Sequence, residues 1–149
     1  NFVAMSFIQA AILCAVMAVV SGVPEAPSGE LCDLLFKDSR ANKSYVVRRQ
    51  RTGVREARLL YEVLETVELD NGKISLIKIE LITGRSHQIR VQFSHRKLPL
   101  LGDKKYGSTY KTAGRVCLHA GMLHFVHPVT KKHHQFEAPL PVEFKKLLK

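Results

Sequence analysis

Acidic residues are scarce in this 149-residue chain, where 13 Asp and Glu stand against 23 Lys and Arg, for a net charge of +10 and an isoelectric point near 9.8. That imbalance suits a polyanionic partner, because each Lys or Arg brought to a phosphate releases condensed counterions. A plain solvated basic face is the competing reading. Cysteine is also sparse: Cys14, Cys32 and Cys117 are odd in number, widely spaced and without a CxxC. This argues against a disulfide framework and for a reducing, cytoplasmic setting. No paired-ligand knuckle is present, so no metal site is expected from Cys117, His119, His124 and His127. On a strand Cys117 and His119 share a face with His127, while His124 points the other way. Internal repeats and low-complexity tracts are absent as well. What is present, 46% hydrophobic and 24% charged residues, is the composition of one globular domain.

Charge is missing altogether from Phe2 to Val20, where only Ser6 and Gln9 interrupt an apolar run, and the first charged residue is Glu25. A signal peptide would normally carry a positive n-region, and none is present here. Three readings stay open: a membrane anchor formed by residues 2–20, a buried core segment, or residues out of context at a truncated end, since the chain begins at Asn1 rather than Met. Ala15–Val20 is rich in Val and is followed by Ser21-Gly22 and Pro24, which fits a core strand ending at a turn. Asn1–Cys14 receives no element.

Pro24–Gly29 reads as a loop. A basic segment follows, with Lys37, Arg40, Lys43, Arg48, Arg49, Arg51, Arg55 and Arg58 against Asp38 and Glu56. It contains a short strand, Ser44–Val47, and is the expected phosphate-contacting flap, with Arg48, Arg49 and Arg51 at its turn. Ala57–Val67 and Ile74–Ile82 predict a hairpin closed by Asp70-Asn71-Gly72, since Asn-Gly accepts the positive φ of a tight turn. Ser86 is placed to N-cap a helix reaching about Arg96, stopped by Leu98-Pro99. Cys117–Val126 and His134–Ala138 predict a second hairpin, and Pro141–Lys149 a closing helix with Phe144, Leu147 and Leu148 inward. Strands outnumber helices, so the fold class is α+β, a mixed but largely antiparallel sheet with flanking helices.

The segment Leu81–Arg90 carries the chemistry. Strand, glycine turn and capped helix put Arg85, His87 and Gln88 at a helix N-terminus, where free N–H groups and the dipole favour an anion. Arg90 falls at the edge of the apolar stripe that includes Ile89 and Phe93, so its guanidinium is half-buried and needs a carboxylate or phosphate. The alternative is an arginine whose stem merely covers apolar area.

Thr83-Gly84-Arg85-Ser86-His87-Gln88-Ile89-Arg90, followed by Gly102-Asp103-Lys104-Lys105-Tyr106-Gly107, resembles the third motif of the RluA-type RNA pseudouridine synthases. Ala18–Pro24 resembles the family's segment after its active-site tyrosine. Leu118-His119-Ala120, His127–Thr130 and Ala138–Pro141 resemble its last hairpin. The resemblance covers about Met17–Lys149, as the C-terminal half of the catalytic domain, and leaves 1–16 unassigned.

The resemblance implies isomerisation of uridine to pseudouridine in structured ribosomal or transfer RNA, by a monomer without metal or organic cofactor. The target base must leave its stack. An aspartate attacks the nucleotide, and the base is detached, turned and rejoined through carbon. A tyrosine packs on the base, and Arg90 matches the arginine that pairs with the aspartate. Arg85, His87 and Gln88, with Arg48, Arg49 and Arg51, are the expected RNA contacts. Two departures stand out. No His-Arg-Leu-Asp motif, the family's source of the aspartate, occurs in the chain, and Val16 falls where the tyrosine belongs. Of Asp33, Asp38, Asp70 and Asp103 none is in that motif, and Asp103 is expected in a loop away from Arg90. Arg90 would then face a gap and the chain alone would be inactive. The other reading is a non-catalytic RNA-binding module that keeps the basic face.

Overall fold

A computed structural model describes residues 12–110, 115–127 and 129–148. Seven strands form one sheet: β1 (Ile12–Ser21), β2 (Ser28–Asp38), β3 (Lys43–Val47), β4 (Val54–Leu69), β5 (Gly72–Leu81), β6 (Leu118–Val126) and β7 (His133–Glu137). Two helices, α1 (Gln88–His95) and α2 (Val142–Leu147), and a 3₁₀ turn at Lys104–Tyr106 complete the described elements. The spatial order is β3-β2-β4-β5-β1-β6-β7. Every pairing between described strands is antiparallel, so the mixed sheet expected from the sequence is corrected to an antiparallel one.

β1 is interior to the sheet, paired with β5 from Ala15↔Glu80 to Ser21↔Ile74 and with β6 on its other side. Its residues Ala15, Val16, Ala18, Val19 and Val20 are all buried, because both faces of the sheet are covered there. This explains the continuous apolar run, which a strand exposed on one face would interrupt. From Ile12 onward the run is therefore strand. No helix among the described residues is long and apolar enough to cross a membrane, and residues 1–11 lie outside the described part.

One face of β1 meets α1: Ile89 and Phe93 pack on Val16, Ala18, Val20, Leu59, Ile77 and Ile79, with Leu100. On the other, Val19, Ile74, Leu76, Leu101 and Cys117 meet Phe144 of α2, with Leu147 and Leu148 alongside. The β4–β5 hairpin turns at Asn71-Gly72, Gly72 taking φ 133°, a conformation costly for any residue with a Cβ. After an exposed start at Gly72 and Lys73 and a buried run over Ile74–Ile77, β5 alternates as its sequence demands, Ile79 in, Lys78 and Glu80 out.

β2 departs from the sequence expectation. Pro24–Gly29 reads as loop throughout, whereas the strand begins at Ser28 and carries Leu31 and Leu35 into the core. Between them on the same face lies Asp33, a carboxylate where an apolar residue would have advertised the strand. It is held by Arg96 of the α1 C-terminus (Nη1 2.7 Å, Nη2 3.2 Å) and by the Gln92 amide (2.9 Å).

Candidate active site

β5 ends at Leu81, and the chain reaches α1 through Ile82–His87. The expected cap is corrected. α1 begins at Gln88, and its N-cap is His87, in the left-handed region at φ 54° and without a side-chain cap bond. Ser86 instead offers its carbonyl to the Ser44 hydroxyl at 2.9 Å. Gln88 braces the loop: its carboxamide oxygen accepts from the Thr83 hydroxyl (2.8 Å) and the Arg85 N–H (2.9 Å), and its Nε2 donates to the Arg58 carbonyl (3.0 Å). Only 3% exposed, Gln88 is turned inward, its side chain engaged with the loop. Arg85 is exposed and donates through Nε to the Glu56 carbonyl at 2.8 Å.

Two residues beyond Gln88, Arg90 meets a carboxylate. Its Nε and Nη2 donate to the two oxygens of Asp103, both at 2.8 Å. The Asp103 side chain is 1% exposed and that of Arg90 20%. The expectation that Arg90 faces a gap is thereby corrected. After α1 the chain returns to the sheet, Leu101 N–H bonding the Val19 carbonyl and Leu100 bridging Val20, and this return carries Asp103 back beneath the helix. The hydrogen bonds to Asp103 hold Arg90 even above the usual arginine range, so it is a permanent cation.

Tyr106, in the 3₁₀ turn, stacks on this pair, its ring centroid 4.9 Å from the Arg90 Cζ. Its hydroxyl accepts the Ser44 N–H at 2.9 Å and lies 2.7 Å from His87 Nδ1. Burial, then the positive charges of Arg90 and Lys105, push His87 below the usual histidine range. A neutral imidazole can pair with the Tyr106 hydroxyl through Nδ1 in either direction, since both groups can donate or accept. Lys43 Nζ lies 5.5 Å from the Tyr106 ring centroid, and Lys105 donates to the Asn42 carbonyl at 2.9 Å, so the cluster sits among cations. Arg48, Arg49 and Arg51 stand exposed on the β3–β4 loop, outside this network, Arg51 lying over the Phe36 ring at 4.6 Å. Among the described residues no group of three or more His, Cys, Asp or Glu is placed to hold a metal ion. Asp103 and Tyr106 are the site residues that sequence reasoning missed, although both belong to the Gly102–Gly107 motif it singled out.

A family model described as RNA pseudouridylate synthase matches residues 14–95, more than half of the chain. The chain belongs to this family. The uncharacterized RNA pseudouridine synthase YlyB of Bacillus subtilis is 36% identical over 133 residues, 88% of this chain and 41% of that protein. Ribosomal large subunit pseudouridine synthase D of Pasteurella multocida is 38% identical over 86 residues, 48% of this chain and 26% of its own length. The chain thus spans well under half the length of these relatives. In fold it is similar to human RNA pseudouridylate synthase domain containing 4 (TM-score 0.70, 24% identity, covering 92% of this chain and 62% of that one). It is likewise similar to human RNA pseudouridylate synthase domain containing 1 (TM-score 0.69, 23% identity, 86% and 54%). The match to the synthase family takes in Arg85, His87, Gln88 and Arg90.

Proposed function

We propose that these residues form the arginine-bearing half of an RNA pseudouridine synthase centre. Arg90 holds and orients the aspartate that attacks the target nucleotide, and the site acts on uridine in structured ribosomal or transfer RNA, as a cytoplasmic monomer without metal or organic cofactor. One observation carries the reading: at the start of α1, within the family-matched segment, a partly exposed guanidinium has two nitrogens on Asp103 and no described acceptor at Nη1. An oriented cation there favours the ionised form of an incoming carboxylate, and fixing that carboxylate at the sugar supplies much of the rate of nucleophilic catalysis. Arg85, His87 and the flap arginines Arg48, Arg49 and Arg51 bind the RNA backbone around the flipped base.

None of the four aspartates lies in a His-Arg-Leu-Asp motif, so the 149 residues alone do not turn over. The test is pseudouridine by mass spectrometry after incubation with total cellular RNA. Product is expected from the protein of the complete reading frame that encodes these residues, and none from the 149-residue chain. Because Arg90 is already closed on Asp103, the second reading is an RNA-binding module without catalysis. RNA binding with no product from either protein would favour it.

A further inference from the structure

We propose that Asp103 is a positioning residue: it holds the Nε and Nη2 side of Arg90, with Tyr106 against the guanidinium face, and so leaves Nη1 and the free Nη2 proton aimed at a second carboxylate. The inference rests on reading Arg90 as the partner of the attacking aspartate. A guanidinium carries five N–H donors in a rigid planar fork. Asp103 takes two of them, at 2.8 Å each, and no described residue accepts from Nη1.

Asp103 has little freedom to move. Its side chain is 1% exposed, its N–H bonds the Leu100 carbonyl at 3.1 Å, and its carbonyl accepts from Ser108 at 2.9 Å and Tyr106 at 3.2 Å. Tyr106 is fixed at its far end by Ser44 and His87, so its ring cannot swing away from Arg90. The same helix holds a useful contrast. Arg96 places both terminal nitrogens on Asp33, and its Nη1 also donates to the Gln92 carbonyl at 3.0 Å. That arginine ties two elements together and leaves neither terminal nitrogen without an acceptor. Arg90 is bound through its inner side only, the arrangement expected of a cation held ready for a further anion.

The test uses the protein of the complete reading frame. In arginine side-chain NMR the Arg90 Nε–H should exchange more slowly than the exposed arginines, and Asp103→Asn should abolish that protection. In single-turnover and steady-state assays Asp103→Asn should lower kcat about tenfold or more with KM for RNA little changed. Asp103→Glu, which keeps the charge, should recover part of the loss. If Asp103→Asn does not fold, the wild-type signal decides: an Arg90 Nε–H exchanging as fast as exposed arginines overturns the proposal. Unchanged kcat in a folded Asp103→Asn protein overturns it too. A protected Arg90 in a protein that makes no pseudouridine overturns the functional reading, and with it the second carboxylate, while the Asp103 pairing stands.

Discussion

Arg90 and Asp103 decide the residue scale. Treated as a lone half-buried cation, Arg90 invites replacement by an apolar residue. Paired with a carboxylate that is 1% exposed, it does not, because Arg90→Met strands the Asp103 charge in the interior. Breaking a buried pair from one side costs about 3–5 kcal/mol, so Arg90→Met should lower stability by that order, read from denaturant midpoints at unchanged slope. Equal or higher stability would mean that the pair is not formed. His87 gives the second prediction. Its proton affinity is lowered in the folded chain, first by burial and then by Arg90 and Lys105. The unfolded chain therefore binds the extra proton more readily, and stability rises with pH across that window. The contribution is complete above the ordinary histidine value of about 6.5 and is lost as pH falls from there towards the folded value. His87→Asn should flatten this part of the pH–stability curve, and an NMR titration of His87 at or above the ordinary value would contradict it. The need of Arg90 for a carboxylate was legible in its place on the helical stripe. Its partner was not, because only the return of Leu100 and Leu101 to β1, a long-range pairing, brings Asp103 under the helix.

Among the elements, legibility followed local pattern. The Asn71-Gly72 turn, the buried run Ala15–Val20, the β6–β7 hairpin and the inward face of α2 announce themselves through turn chemistry and apolar spacing. β2 and the start of α1 do not. In β2 the inward series Leu31, Asp33, Leu35 carries a charge at its middle, and in α1 a left-handed His87 replaces the Ser86 cap. Asp33 is nevertheless a structural clamp between β2 and α1. Burial raises the proton affinity of its carboxyl, but the hydrogen bonds from Arg96 and Gln92 outweigh this and hold it below the usual carboxylate range. A depressed carboxyl contributes stability above its unfolded value, about 3.9, and the contribution fades as pH falls towards the folded value. Asp33→Asn should therefore cost roughly 1–3 kcal/mol at neutral pH, with the difference from wild type shrinking in acid. A constant difference from neutral pH into acid would show that the clamp is not ionic.

For the whole molecule, the excess of basic residues becomes a prediction about RNA. Arg48, Arg49 and Arg51 are exposed on one loop of a chain with net charge +10. Replacing all three with Ala should weaken binding to different structured RNAs alike. It should also reduce the salt dependence by up to about one unit of log–log slope for each phosphate that is no longer neutralised. An unchanged affinity and slope would make the loop a solvated face only. The central claim is that Arg90 serves a pseudouridine synthase centre, and one measurement reaches it most directly. Pseudouridine is quantified by mass spectrometry in cellular RNA treated with the protein of the complete reading frame, as wild type and as Arg90→Lys. Lysine keeps the charge but lacks the planar fork that can hold two carboxylates at once. The account predicts product from wild type and a rate at least about a hundredfold lower from a folded Arg90→Lys protein. Equal rates from the two proteins would contradict it.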